Sequence, residues 1–237
     1  MAGHDRVRIL NGTIRGFEHA VALAGADENT LARLALGGFP VARSFIGAFL
    51  SQSNDNELDQ ITALGGSPAV LLSASDRNTI SRSSIDGGVS IRVGRSIALV
   101  DGSDENEVEQ SRLAGEEGAA IFDSTGNRVV RNTVDGGSEA LALAGARGTL
   151  IARNTLTSSG NGAITIVMHS DSDENVIQDN AMPSNGMLIR GDRNRIERND
   201  VQGRFAFLDQ SVIEILSGDA NVVVSNRARV GSGGSRG

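Results

Sequence analysis

Aliphatic residues recur along the chain in short clusters whose spacing fits neither an amphipathic helix nor a simple alternating hairpin. They are organised around Asp-x-Asn-x-aliphatic, read as Asp27-Glu28-Asn29-Thr30-Leu31, Asp76-Arg77-Asn78-Thr79-Ile80, Asp104-Glu105-Asn106-Glu107-Val108, Asp173-Glu174-Asn175-Val176-Ile177, Asp192-Arg193-Asn194-Arg195-Ile196 and Asp219-Ala220-Asn221-Val222-Val223. Variant copies begin at Val7, Asn56, Asn127 and Thr149, where one element of the pattern is replaced and the aliphatic residue survives. With the Asn position as anchor, the copies stand about 24 residues apart. Two positions past each anchor the residue is always aliphatic, from Ile9, Leu31 and Leu58 through to Val223. Seven positions past, it is apolar throughout, from Ile14 and Leu36 to Ala228. A glycine corner such as Gly65-Gly66, Gly87-Gly88 or Gly136-Gly137 then precedes a third apolar segment, for example Ala69-Val70-Leu71-Leu72 or Ala140-Leu141-Ala142-Leu143.

A repeat of this length with three short strands and no 3.6-residue spacing excludes helical arrays, and a propeller blade needs roughly 40 residues. Stacked parallel coils remain. The pattern predicts an all-β, right-handed parallel β-helix of about ten coils, with residues 1–230 as one domain and Gly231 to Gly237 as a flexible Gly/Ser tail. Each coil should lie ~4.8 Å from the next, the usual distance between neighbouring strands. Stacking would align the anchor asparagines in one column, and Ser83, Ser111, Asn132, Asn154, Asn180, Asn199 and Asn226, five positions further on, in a second. Side-chain amides so aligned can bond one another or the turn backbone.

The run D-x-N-x-I-x-x-N-x-aliphatic, then Gly, then a short strand, covering residues 5 to about 230, resembles the repeats of the pectate-lyase-like superfamily, including carbohydrate-binding and sugar-hydrolase domains. That resemblance implies a polysaccharide ligand and an extracellular or cell-envelope location. The family's catalytic motifs do not carry over. The chain has no G-H-G, no adjacent Asp pair, no R-x-K and no D-P-H-E segment, and it lacks the tyrosine that Tyr-dependent lyases use.

Composition narrows the chemistry further. There is no Cys, Trp, Tyr or Lys, so thiolate, Schiff-base and disulfide chemistry are excluded, and the seven Phe are the only aromatic rings for stacking on sugars. A net charge of −7 argues against general nucleic-acid binding. No apolar run approaches the ~20 residues a spanning helix requires, so membrane insertion is not expected.

Candidate chemistry lies in three places. His169 and Asp171 form an acid–base pair candidate, because an imidazole beside carboxylates can act as a general base. Asp171, Asp173 and Glu174 offer hard oxygen ligands suited to Ca²⁺, although Val176 stands where a calcium loop of the EF-hand type requires Gly. Arg82, Arg131, Arg153 and Arg198 all lie four positions past an anchor, with Arg33 before them, so stacking would align them as a stripe able to grip uronate carboxylates. Asp101, Asp104, Glu105, Glu107 and Glu109, with Glu116 and Glu117, read as a charged turn. Four repeats are longer than the rest, and their extra residues, within Phe39 to Phe49, Val89 to Val100, Ser158 to Met168 and Arg204 to Leu216, are expected to leave as loops on one side.

The first repeat starts close to Met1 without a capping helix, and the last runs into the tail, so either a longer parent chain or end-to-end self-association is expected. The leading expectation is a protein that recognises or acts on an acidic polysaccharide at the cell exterior. The alternative is a non-catalytic structural or adhesive module.

Overall fold

The structure, a computed structural model, describes residues 1–37, 45–88, 94–160, 163–203 and 212–230. Parts of the four longer repeats, at 38–44, 89–93, 161–162 and 204–211, and the Gly-rich segment 231–237, lie outside the described residues.

Every named element is a strand, and every strand pairing is parallel, each strand bonding its counterparts in the preceding and following repeats. Three faces result. On the first, Ile9 pairs with Leu31, Leu31 with Leu58, Leu58 with Ile80, and the column continues in register to Val223. On the second, Leu36, Ala63, Ile85, Leu113 and Val134 form the matching column. The third carries two inward columns, one of them Leu23, Leu50, Leu72, Leu99, Ile121 and Leu143. All of these residues from Leu23 to Ile196 are buried, so the core is one continuous cylinder of stacked aliphatic side chains. Burying each such side chain stabilises the fold by about 1.5 to 3 kcal/mol. A register shift between Gly115 and Glu117 falls at the glycine corner between the second and third faces.

The repeat motif has a direct geometric reading. The residue between Asp and Asn adopts a left-handed conformation, as at Glu28 (φ 56°), Arg77 (φ 53°), Glu105 (φ 55°) and Glu174 (φ 59°). This sharp bend turns the Asp outward and the Asn into the core. The inward Asn accepts from the preceding rung: the Asn56 N–H donates to Asn78 Oδ1 at 2.9 Å, and the Asn78 N–H to Asn106 Oδ1 at 2.8 Å. The outward Asp accepts from the following rung: the Asp192 N–H donates to Asp173 Oδ1 at 2.7 Å, and the Asp219 N–H to Asp192 Oδ1 at 2.8 Å. A second inward column obeys the same rule, with the Asn154 N–H donating to Asn180 Oδ1 at 2.9 Å. A third, which the motif did not disclose, is serine: Ser53 donates its N–H to Ser75 Oγ at 3.1 Å and Ser103 to Ser124 Oγ at 3.2 Å. Thus the polar groups exposed by bending the backbone at each corner are satisfied by the neighbouring rung, as burial demands.

Candidate functional site

The corner between the first and second faces is as regular as the one at the Asp-x-Asn motif. The residue four positions past the anchor is left-handed in every repeat, including Asn11 (φ 58°), Arg82 (φ 50°), Arg131 (φ 57°), Arg153 (φ 58°), Asp179 (φ 55°) and Arg198 (φ 53°). A non-glycine residue in this conformation costs roughly 1–2 kcal/mol. The inward Ser or Asn that follows compensates by accepting a backbone N–H from the rung before. The side chain at the corner is consequently outward, beside the residue that precedes it in its own rung and that residue's counterpart one rung back.

That preceding position forms its own registered column: Asp59, Ser81, Glu109, Val130, Ala152, Gln178 and Glu197. Arg82 reaches back one rung to Asp59, with Nε 2.7 Å from Oδ1. Arg131 reaches back in the same way and pairs with Glu109. Arg198 holds Asp179 of the preceding rung, Nε to Oδ1 2.8 Å, together with Glu197 of its own, Nη1 to Oε1 2.6 Å. Burial alone would raise the Asp59 carboxyl, but hydrogen bonds from Arg82 and Ser81 outweigh it and hold the group below its ordinary value. Asp179 is lowered by its hydrogen bond from Arg198, and Glu197 by the one from Arg195.

Arg153 departs from this pattern. One rung back stands Val130, its own rung offers Ala152, and the preceding corner holds Arg131, so no carboxylate occupies any position that its neighbours use. Among the described residues it makes no side-chain hydrogen bond or ion pair. Its field reaches Asp179, whose carboxyl is clamped by Arg198. Arg153 borders a shallow depression of about 150 Å³ whose rim is Arg128, Arg131, Arg153 and Gln178 and whose apolar lining is Val130, Leu150 and Ala152. Arg128 is itself tied to Glu107 at 3.4 Å.

The other sequence candidates lie elsewhere. His169 and Asp171 are exposed in the turn after Met168, and the His169 backbone N–H donates to the Leu143 carbonyl at 2.8 Å. Asp173 accepts the Asp192 N–H and pairs with Arg147 at 3.3 Å, while Glu174 pairs with Arg193 at 2.9 Å. Both carboxylates are therefore engaged in holding rungs together. Among the described residues, no group of three or more His, Asp or Glu side chains is assembled to hold a metal ion.

One further cluster includes Glu117, expected from the sequence to belong to a charged turn and found on a strand. Arg95, Glu117 and Glu139 are stacked in register on three successive rungs where the chain enters the third face. Arg95 pairs with Glu117, whose side chain is largely covered, and lies over the Phe122 ring at 5.1 Å. Burial raises the half-buried Glu139 carboxyl, the neighbouring Glu117 charge raises it further, and Arg95 partly offsets both. Two carboxylates thus stand one rung apart, one paired with arginine and the other raised by burial. Their signal in the sequence was a charged residue ten or eleven positions before successive anchors, Asn106, Asn127 and Thr149.

Residues 1–182 match the family described as a right-handed β-helix region. Among curated proteins, no sequence matches the chain. Among solved structures, DFA-IIIase from Arthrobacter chlorophenolicus A6, crystallised in complex with GF2, is similar with a TM-score of 0.68 at 16% identity, over 89% of this chain and 58% of that one. An alginate lyase from Paenibacillus sp. str. FPU-7 gives a TM-score of 0.59 at 14% identity, over 94% of this chain and 90% of that one. The chain thus spans less than two thirds of the DFA-IIIase, and likeness at these identities shows a shared fold.

Proposed function

Because the chain belongs to the right-handed β-helix family, we propose, from its arginine-lined corner, that it recognises an acidic polysaccharide at the cell exterior. The observation that carries this reading is Arg153, an exposed guanidinium without an internal partner, beside an apolar depression and next to Arg131 and Arg128. A guanidinium is a planar fork matched to a carboxylate, and a small apolar floor suits the less polar face of a sugar ring. The alginate lyase with the same fold supports a uronate polymer as the ligand class.

Alginate, polygalacturonate and a neutral glucan should be compared for binding to the wild type and to the Arg131→Ala, Arg153→Ala double variant, at low and moderate salt. The two acidic polymers should bind selectively, more weakly as salt screens the exposed contacts, and at least ten-fold more weakly in the variant. Equal binding to all three polymers, or to none, would overturn the reading. A non-catalytic module is the second reading, favoured by the separation of the arginine corner from Glu117 and Glu139, which lie on another part of each rung. Release of new reducing ends or unsaturated uronates during the same incubations distinguishes the two.

A further inference from the structure

The molecule contains its own template for how an arginine at this corner holds a carboxylate. Arg82 binds Asp59, and Arg131 binds Glu109, each acid lying one rung back at the position just before the corner. For Arg153 that position is Val130, in direct register with Glu109. The ion pair is therefore interrupted at one rung by a missing acid, while the arginine that would complete it is present. Val130 is nearly covered, as is Ala152 beside it, so the site of the missing carboxylate is floored by apolar surface. The depression found there is bordered by Arg153, Val130 and Ala152 together.

From this we infer that Arg153 is the seat of one ligand carboxylate, which takes the place that Asp59 occupies against Arg82 and Glu109 against Arg131. The inference rests on the acidic-polysaccharide reading and deepens it: the recognised unit is a single uronate seated in the depression bordered by Arg128, Arg131, Arg153 and Gln178. The seat at Arg131 is already filled by Glu109, so the neighbouring rung is closed to a second uronate. One internal carboxylate thereby sets the boundary of the site.

The same logic supplies a test that removes no arginine. In Val130→Glu the new side chain stands where Glu109 stands one rung earlier, so it should pair with Arg153 and displace the ligand. Trigalacturonate binding, measured by calorimetry, should weaken at least ten-fold in Val130→Glu, with little change in Val130→Gln, which has similar bulk and no charge. Glu109→Val should vacate the Arg131 seat and tighten trigalacturonate binding at least three-fold. A sulfated trisaccharide tested alongside separates carboxylate recognition from general anion attraction and should bind at least ten-fold more weakly than trigalacturonate. Wild-type affinity in Val130→Glu, an equal loss in Val130→Gln, no gain in Glu109→Val, or equal affinity for the sulfated sugar would overturn the seat. If the wild type binds polygalacturonate and Val130→Glu binds it equally, the seat alone falls; if the wild type binds no acidic polymer, the functional reading falls with it.

Discussion

Asn106 accepts twice through Oδ1, from the Asn78 N–H at 2.8 Å and the Asn78 side-chain amide at 3.0 Å, and donates to the Ser75 carbonyl at 2.9 Å. Replacing it by Ala leaves those buried groups without partners. Asn106→Ala should therefore destabilise the protein by about 1 to 3 kcal/mol, read from the shift of the denaturant midpoint. Asn194 has the same arrangement, accepting from Asn175 at 2.9 Å and donating to Ser172 at 2.9 Å, so its Ala variant should behave alike. These asparagines were legible in the sequence because a side chain that bonds its own counterpart must recur at a constant offset. Where the residue type changes, legibility falls. The serine column three positions before the anchors was missed because it survives only at Ser53, Ser75, Ser103, Ser124 and Ser172. At Thr149 the column of anchor amides is broken, and the buried Thr149 hydroxyl has no hydrogen-bond partner.

At the scale of the strand and its corner, constant spacing also decided what could be read. The arginine stripe was visible because the corner stands at an invariant four residues past the anchor. Its pairing was not visible, because that depends on the residue one rung back, at a sequence distance varying from 19 to 23. The cluster of Arg95, Glu117 and Glu139 was hidden for a related reason: it follows the glycine corners, where repeats differ in length. Glu139 gives this corner a pH dependence of definite sign. Its folded-state carboxyl is raised above the ordinary glutamate value, so its favourable contribution is complete below that value and is lost as pH rises through the folded value. Glu139→Gln should remove this loss, making urea midpoints less dependent on pH above 4.5 and raising them relative to wild type at neutral pH. An unchanged pH profile would show that the carboxyl is not buried in this way. Asp59, lowered in the folded state, contributes in the opposite sense: its stabilisation is present above the ordinary aspartate value and disappears as pH falls.

Across the whole molecule, each rung bonds only to the rungs before and after it, so stability is transmitted along a line and not through a shared centre. A cavity in the middle of such a line weakens the coupling between its halves. Leu143 is fully buried between Ile121 and Met168 in the inward column of the third face. Leu143→Ala should cost about 2 to 5 kcal/mol, and its denaturation should broaden or divide into two transitions. Hydrogen exchange should be slowest near the middle rungs and faster towards Val222, Val223 and Val224, which are exposed at 40, 41 and 39%. Uniform protection along the stack, with a single sharp transition in the variant, would contradict this view.

The direction of the asparagine bonds gives the molecule an orientation of another kind. In the anchor column, from Asn56 to Asn78 to Asn106 and again from Asn175 to Asn194 to Asn221, each side-chain carbonyl faces the preceding rung. The second column, through Asn154, Asn180, Asn199 and Asn226, has the same sense. The amide nitrogens reach back as well, Asn78 Nδ2 to the Ser53 carbonyl and Asn106 Nδ2 to the Ser75 carbonyl, so these asparagines grip the rung before them with both ends of the amide. The stack is in effect a one-way chain of hooks: a rung joining at the last end brings the asparagines that grip its neighbour, whereas one joining at the first end is gripped by those already in place.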